Sequence, residues 1–396
     1  MSHYFSYSTD WLEQHNALHT AREIWNQPDL WRQLHQQLTE DSGQWQPFLR
    51  PLLENPRLQI VLCGAGSSAF AGRALAPWLR QQTGRDVVAY GTTDIVANPH
   101  QYLDRSRPTL LVSFARSGNS PESVASVALA DQLVPECYHL MLVCNPDSQL
   151  AQYAEGRDNV LAVVMPKGSN DQSFAMTSSF SCMMLGAALL LGPQSLDEAY
   201  PPLNRMVESG YRLRESLQSQ VKKLAHSGFT RYITLGGSCF TGLAEEASLK
   251  MLELTAGRIV TRYDSPLGLR HGPKFMVDDQ TLVLMMFSGD GYARKYDLDL
   301  WHELKRDGLV QQMVGLSGEA DVQDHSDIQT LHNEREDVWM MFPYLLFAQM
   351  LAMETSLAHG LTPDNPCPTG EVNRVVKGVT IYHYSKPVNP ASASAL

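Results

Sequence analysis

Two groups of residues in this chain have the types and spacing to do chemistry. In "LAEEASLKMLELTAGRIVTRYDSPLGLRHGPKF" (residues 243–275), Glu246, Lys250 and Glu253 stand at i, i+4 and i+7. If 244–254 is a helix, these three share one face, and most other positions are Leu, Ala or Met. Periodicity leaves two readings open: a solvated edge of ion pairs, or a row of proton-handling groups. An imidazole, His271, follows in a His-Gly-Pro turn. The second group is rich in hydroxyls and glycine. "IVLCGAGSSAFAG" places Gly64, Gly66, Ser67 and Ser68 between an apolar run and a helical pattern. "SFARSGNSPESVASV" places Ser113, Ser117, Ser120 and Ser123 around Gly118, with Arg116 alongside. One N-cap hydroxyl satisfies one or two backbone donors, so so many hydroxyls in one turn exceed what capping needs. Together the two turns read as a cradle for a small phosphate ester, with free helix N–H groups facing the anion and Arg116 adding charge assistance. A third stretch, "SNDQSFAMTSSFS", is either a capped helix start, with Asn170 or Asp171 as the cap, or a sugar-facing surface through Ser173 and Thr177.

The elements that must position these groups alternate along the chain. From Leu58 onward, "LQIVLCG", "VVAYG", "TLLVSFA", "YHLMLVC" and "VLAVVM" read as buried strands separated by helical segments. That pattern implies a parallel sheet covered on both faces, a doubly wound α/β unit. In such a sheet, the turns at the carboxyl ends of the strands bind ligands. After the apolar helix near 178–191, "GPQSLDEAYPPLN" reads as an interdomain linker. The pattern then restarts with "RYITLGG", "RIVTRYD", "TLVLMMFS" and "VQQMVGL", as expected for an internal duplication. The expected organisation is a helical N-terminal extension (1–52), a first α/β domain (53–195), a second (205–360) and a C-terminal tail (361–396).

Composition narrows the function. The chain has 396 residues, 43% of them hydrophobic and 18% charged, as expected for a globular protein with sizeable cores. Its formal charge of −11 disfavours nucleic acid and anionic membrane surfaces, both of which need a basic face. The start lacks a secretory pattern, and no long charge-free apolar run appears, so a cytoplasmic protein is expected. Six scattered cysteines read as reduced core thiols, and the thirteen histidines show no metal-ligand spacing, so no metal is expected. GxGxxG is not matched, because Ala69 stands at the third glycine position, and no GK[ST] is present.

The strings "CGAGSSAFAG" and "SFARSGNSPES" and the duplicated layout resemble the sugar isomerase (SIS) family of phosphosugar-binding domains over residues ~55 to ~380. The second copy is similar to the isomerase part of glucosamine-6-phosphate synthase, through "LGGSCFTGLAEEASLKMLE" and "RHGPKF". The resemblance implies two tandem flavodoxin-like SIS domains with the tail over the active site. It implies a phosphosugar substrate, no cofactor and a homo-oligomer with shared sites. By residue, it implies Glu253 as the enolising base and Glu246 and Lys250 as its buried polar partners. His271 would open the sugar ring from a neighbouring subunit, and Lys377 would lie in the closing tail. Ser68, Ser117 and Ser120 match phosphate-binding positions. "SFAMTSSF" and "YDSPLGLRHGPK" narrow the implied reaction to conversion of galactosamine 6-phosphate to tagatose 6-phosphate and ammonia. Isomerisation without amine loss and a non-catalytic phosphosugar sensor are the alternatives.

Overall fold

The apolar runs become strands because β-branched and aliphatic side chains pack well on both faces of a pleated surface. In the computed structural model, which describes residues 3–318, 328–330, 336–376 and 378–385, they form two five-stranded parallel sheets. The first contains β1 (Gln59–Gly64), β2 (Asp86–Gly91), β3 (Thr109–Ala115), β4 (Cys137–Val143) and β5 (Val160–Val164), in the order β2-β1-β3-β4-β5. The second contains β6 (Arg231–Gly236), β7 (Val260–Asp264), β8 (Thr281–Met286), β9 (Gln312–Ser317) and β10 (Ile328–Thr330), in the order β7-β6-β8-β9-β10. Both therefore have the doubly wound order 2-1-3-4-5, whose switch point lies between the first and third strands. The inner strands β1, β3 and β8 are buried at every residue.

The helices that matter for the site are α1 (Leu18–Trp25), α2 (Gln27–Glu40), α3 (Ser67–Thr83), α4 (Pro121–Leu133), α5 (Ser178–Leu191), α6 (Leu196–Ser216), α7 (Cys239–Leu254), α8 (Ala293–Asp307) and α9 (Asp337–Ala358). The helix α5 is buried along its whole length, and α9 is buried from Val338 to Ser356. One core runs through both sheets, from Ile60 and Leu62 to Leu284 and Phe342. The first helix of each sheet, α3 and α7, pack directly on each other. A Cβ on Gly242 would lie 2.5 Å from the backbone N of Ala74, so only glycine permits this crossing.

Two features differ from the sequence expectation, while the N-terminal helices pack on the larger body as expected. The N-terminal region opens with a short antiparallel pair, His3–Tyr4 with Tyr7–Ser8, where no strand was expected. Its helices then join the main core: Trp31 packs edge-on against Phe342 of α9 at 5.5 Å, and Gln27 hydrogen-bonds Gln349 of α9 at 2.7 Å. The segment read as a linker is instead the start of α6, whose Ser195 and Glu198 form a reciprocal capping box. Pro201 and Pro202 lie inside that helix, so the polar texture marks a helix start rather than a break. All six cysteines are free thiols and five are buried.

Candidate active site

From Leu243 onward the helix α7 is mostly Leu, Ala, Glu, Lys and Met, all good helix formers, and it ends where Ala256 and Gly257 take left-handed conformations, with Gly257 N bonding Leu252 O at 2.9 Å. Its polar stripe is not a solvated edge. The side chains of Glu246 and Lys250 are fully buried, and that of Glu253 is 23% exposed. Lys250 Nζ hydrogen-bonds the Glu253 carboxylate and lies 3.4 Å from Glu246 Oε1. Burial pushes the Glu246 carboxyl up to about 8, against the pull of Lys250 and with the push of Glu253. Burial pulls the Lys250 ammonium down, but the two carboxylates together hold it above its ordinary value. The buried ammonium is therefore paired with both carboxylates, by its hydrogen bond to Glu253 and by its approach to Glu246. Glu253 is thus the member of the stripe that is both charge-paired and open on one side.

The hydroxyl-rich turns meet at the carboxyl end of the first sheet. Ser68, Arg116, Ser117, Ser120 and Ser123 line a cavity of about 110 Å³, with Arg374, Val375 and Val376 of the C-terminal segment on its other side. Ser120 is the N-cap of α4 yet makes no capping hydrogen bond; its hydroxyl donates to Ser123 Oγ at 2.6 Å. Gly66 makes this geometry possible with φ +55 at the turn into α3. Gly64 is needed as well, since a Cβ there would lie 2.5 Å from Ser68 Cβ. The cavity and the stripe adjoin. The Ser67 hydroxyl, next to Ser68 on α3, acts on the Glu246 carboxyl, and the Glu253 charge acts on Arg116.

Several expected site residues sit elsewhere. Ser67 faces Glu246 and is absent from the cavity lining. Ser113 is buried within β3 beside Cys63. Ser173 and Thr177 are corrected from sugar-facing to structural. The Ser173 hydroxyl donates to Glu23 of α1. Thr177 gives its N–H (2.7 Å) and hydroxyl (3.1 Å) to Asp171, which also caps Ser178 and Ser179. A carboxylate with that many donors is the helix cap that "SNDQS" offered as the alternative reading. Arg116 lines the cavity, but it donates to the carbonyls of Phe174 (3.1 Å), Ser173 (3.4 Å) and Arg374 (2.8 Å), which leaves less of the guanidinium for an anion than expected. His271 is exposed on the loop after β7 and does not line the cavity. Lys377 lies outside the described residues. Arg374 and Glu23 were missed; only the closeness of Arg374 to Lys377 in "NRVVKG" was a local signal.

Among the described residues, one His/Cys/Asp group, Asp131, Cys137 and His139, has donor atoms close together. His139 Nε2 is 2.6 Å from Asp131 Oδ1, a hydrogen-bond separation, and Asp131 also takes the Tyr153 hydroxyl. None of these three residues lines the cavity.

A family model for the SIS domain matches residues 52–191. D-galactosamine-6-phosphate deaminase AgaS of Shewanella sp. (strain ANA-3) is 42% identical over 382 residues, covering 96% of this chain and 95% of that protein. A D-galactosamine-6-phosphate deaminase AgaS of Escherichia coli is 41% identical over 92% of this chain and 95% of its own. The crystal structure of tagatose-6-phosphate ketose/aldose isomerase from Escherichia coli superposes with a TM-score of 0.86 at 39% identity, covering 92% of this chain and 96% of that one.

Proposed function

Because this chain belongs to the SIS-domain family of the AgaS deaminases, we propose that it converts galactosamine 6-phosphate and water to tagatose 6-phosphate and ammonia without a cofactor. The observation that supports this reading is the juxtaposition of a hydroxyl-lined cavity with the Lys250–Glu253 pair on the α3–α7 contact. The phosphoryl group occupies the cavity, held by Ser68, Ser117 and Ser120, so its binding energy positions the reacting carbons. Glu253 removes the C2 proton of the opened sugar and returns it to C1. Lys250 anchors Glu253, and Glu246 keeps the buried ammonium compensated. The shifted product is a ketose imine, and water releases ammonia from it.

Ring opening falls to His271, whose imidazole can both give and accept a proton. His271 acts on the cavity of a second copy. In support, the cavity is smaller than the ~300 Å³ at which whole small-molecule sites begin, so more walls are needed. The loop and edge strand near His271 also expose apolar side chains, including Phe275 at 96%, Val260 at 56% and Leu267 at 46%, a pattern typical of interfaces. The two sheets are read as an internal repeat, and the enzyme as a cytoplasmic one. No helix among the described residues is long and apolar enough to cross a membrane.

The test is ammonia release and ketose-phosphate formation from galactosamine 6-phosphate, with glucosamine 6-phosphate as the C4 epimer. Production of neither ammonia nor ketose phosphate from either sugar overturns the proposal. Interconversion of tagatose 6-phosphate with its aldose, without ammonia from the amino sugars, establishes plain isomerisation instead.

A further inference from the structure

At the amino end of the first sheet, opposite the cavity, three donor atoms of different chemistry converge. Cys137 opens β4, and His139 follows two residues later on the same face of the strand. Asp131 reaches them from the last turn of α4. Cys137 Sγ lies 3.5 Å from His139 Nε2, which lies 2.6 Å from Asp131 Oδ1, and all three atoms fall within 4.8 Å of one another. One imidazole nitrogen thus meets both partners, while Nδ1 has no hydrogen-bond partner among the described residues. A nucleophilic relay of the Cys–His–acid type would turn one ring nitrogen toward each partner, and this arrangement does not.

The geometry fits a shared ion instead. A tetrahedral zinc ion, with bonds of about 2.0 Å to nitrogen and oxygen and about 2.3 Å to sulfur, separates nitrogen from sulfur by about 3.5 Å and nitrogen from oxygen by about 3.3 Å. The first separation is already present. The second needs the Asp131 carboxylate to withdraw by less than ~1 Å, and Asp131 is the accessible member, with its side chain 26% exposed against 0% for His139. The neighbouring groups hold the ligands in place, as outer partners do at metal sites. Asp131 Oδ2 accepts from the Tyr153 hydroxyl and lies 3.6 Å from Arg157 Nη1, which leaves Oδ1 for the ion. Asn159 clamps the backbone of both strand ligands: its Nδ2 donates to Cys137 O at 3.0 Å, and its carbonyl accepts from His139 N at 2.9 Å.

We propose that Asp131, Cys137 and His139 bind a divalent transition-metal ion of the zinc class, with solvent as the fourth ligand, and that the ion ties α4 to β4. The carboxylate and a thiolate together neutralise the dication. Binding releases the thiol proton to solvent and leaves a neutral imidazole with its proton on Nδ1. The site is independent of the reaction proposed above, because the seven residues of β4 separate it from the cavity end of the sheet by about 20 Å. The residue order shows only Cys-x-His, since Asp131 comes from the preceding helix.

The experiment uses the full-length protein, reduced and stripped of metal by a chelator, with Co²⁺ and Zn²⁺ as probes. Co²⁺ is expected to bind one-to-one and to produce a thiolate charge-transfer band in the near ultraviolet, which Zn²⁺ displaces. Zn²⁺ is expected to raise the melting temperature by mass action, and the chelator to leave turnover of galactosamine 6-phosphate unchanged. Cys137→Ser is expected to remove the band and to lower affinity by about 100-fold or more, with the other cysteines in place as an internal control. Asp131→Asn lowers affinity by about 10-fold or more and guards against misfolding of the buried variant, and Tyr153→Phe lowers it by roughly 10-fold, the lower end of the range for a lost outer partner. If neither ion binds the wild type, if Co²⁺ binds without the charge-transfer band, or if Cys137→Ser and Asp131→Asn bind as tightly as the wild type, the site is overturned, whatever the deaminase assay shows.

Discussion

The two sheets have the same strand order but put their equivalent turns to opposite uses. After the first strand, each chain path enters its helix through the same backbone: Gly66 at φ 55, ψ −128 and Ser238 at φ 54, ψ −121. Glycine adopts that conformation freely, whereas serine is strained there by about 1–3 kcal/mol. After the third strand the contrast is sharper. The first sheet presents Ser117, Ser120 and Ser123 to a cavity. The second fills the corresponding turn with its own carboxylates: Asp297 accepts from Ser288 N at 2.9 Å, and Asp337 accepts from Ser288 Oγ at 2.6 Å and Gly289 N at 2.7 Å. Burial pushes Asp297 up to about 6, the consequence of enclosing an internal anion. The first sheet thus leaves its turn hydroxyls facing a cavity, whereas the second occupies its turn with internal carboxylates. The second sheet instead carries the helix that bears Glu253.

If this division of labour holds, its largest signature is catalytic. Glu253→Gln is expected to lower kcat by about 10³-fold, within the range of general-base contributions, while leaving inorganic-phosphate affinity unchanged. Collapse of both would mean that the two sheets do not divide the work. Next in size, Ser120→Ala is expected to raise KM by about 10-fold, the worth of one hydrogen bond to a charged group, with kcat little changed.

Smaller effects probe the second sheet. Asp337→Ala leaves Ser288 and Gly289 without their acceptor and is expected to cost about 1–3 kcal/mol in denaturant unfolding, with phosphate affinity intact; weakened phosphate binding would make that turn part of the ligand site. Ser238→Gly relieves the strained conformation and is expected to stabilise by about 1 kcal/mol. A loss of stability would show that its side chain contributes more than the strain costs.

The smallest effect concerns pH. Glu354 accepts from the Tyr7 hydroxyl at 2.9 Å, and burial pushes its carboxyl up to about 7. The folded state holds that proton more tightly than the unfolded chain, so this contribution is complete below the ordinary carboxylate range. It is lost as pH rises through 7. The melting temperature is therefore expected to fall between pH 5 and pH 8, and Glu354→Gln is expected to flatten that slope; an unchanged slope would assign it to other groups.

Much of this was legible in the residue order. Alternating apolar runs and helical patterns yielded the doubly wound units, and the glycine–serine turns marked the strand ends where a cavity opens in the first sheet. The N-terminal strand pair was not legible, because two-residue strands leave no period to detect. The linker reading of 192–204 failed because a capping box followed by two prolines has the composition of a loop. Ser173 and Thr177 were ambiguous because a hydroxyl that caps and one that binds occupy the same kind of helix start; Asp171 decides between them through its six short contacts.

By itself the sequence determined what is local: the periods of strands and helices, the glycines that allow sharp turns, and the spacing that aligns Glu246, Lys250 and Glu253. Only the tertiary structure decided that this face is buried, because i, i+4 spacing is identical on a wet and a dry helix face. The difference comes from α3, brought against α7 at Gly242 from a distant part of the chain. It likewise decided that Arg374 and Glu23 grip opposite sides of one loop, a meeting for which no local pattern exists.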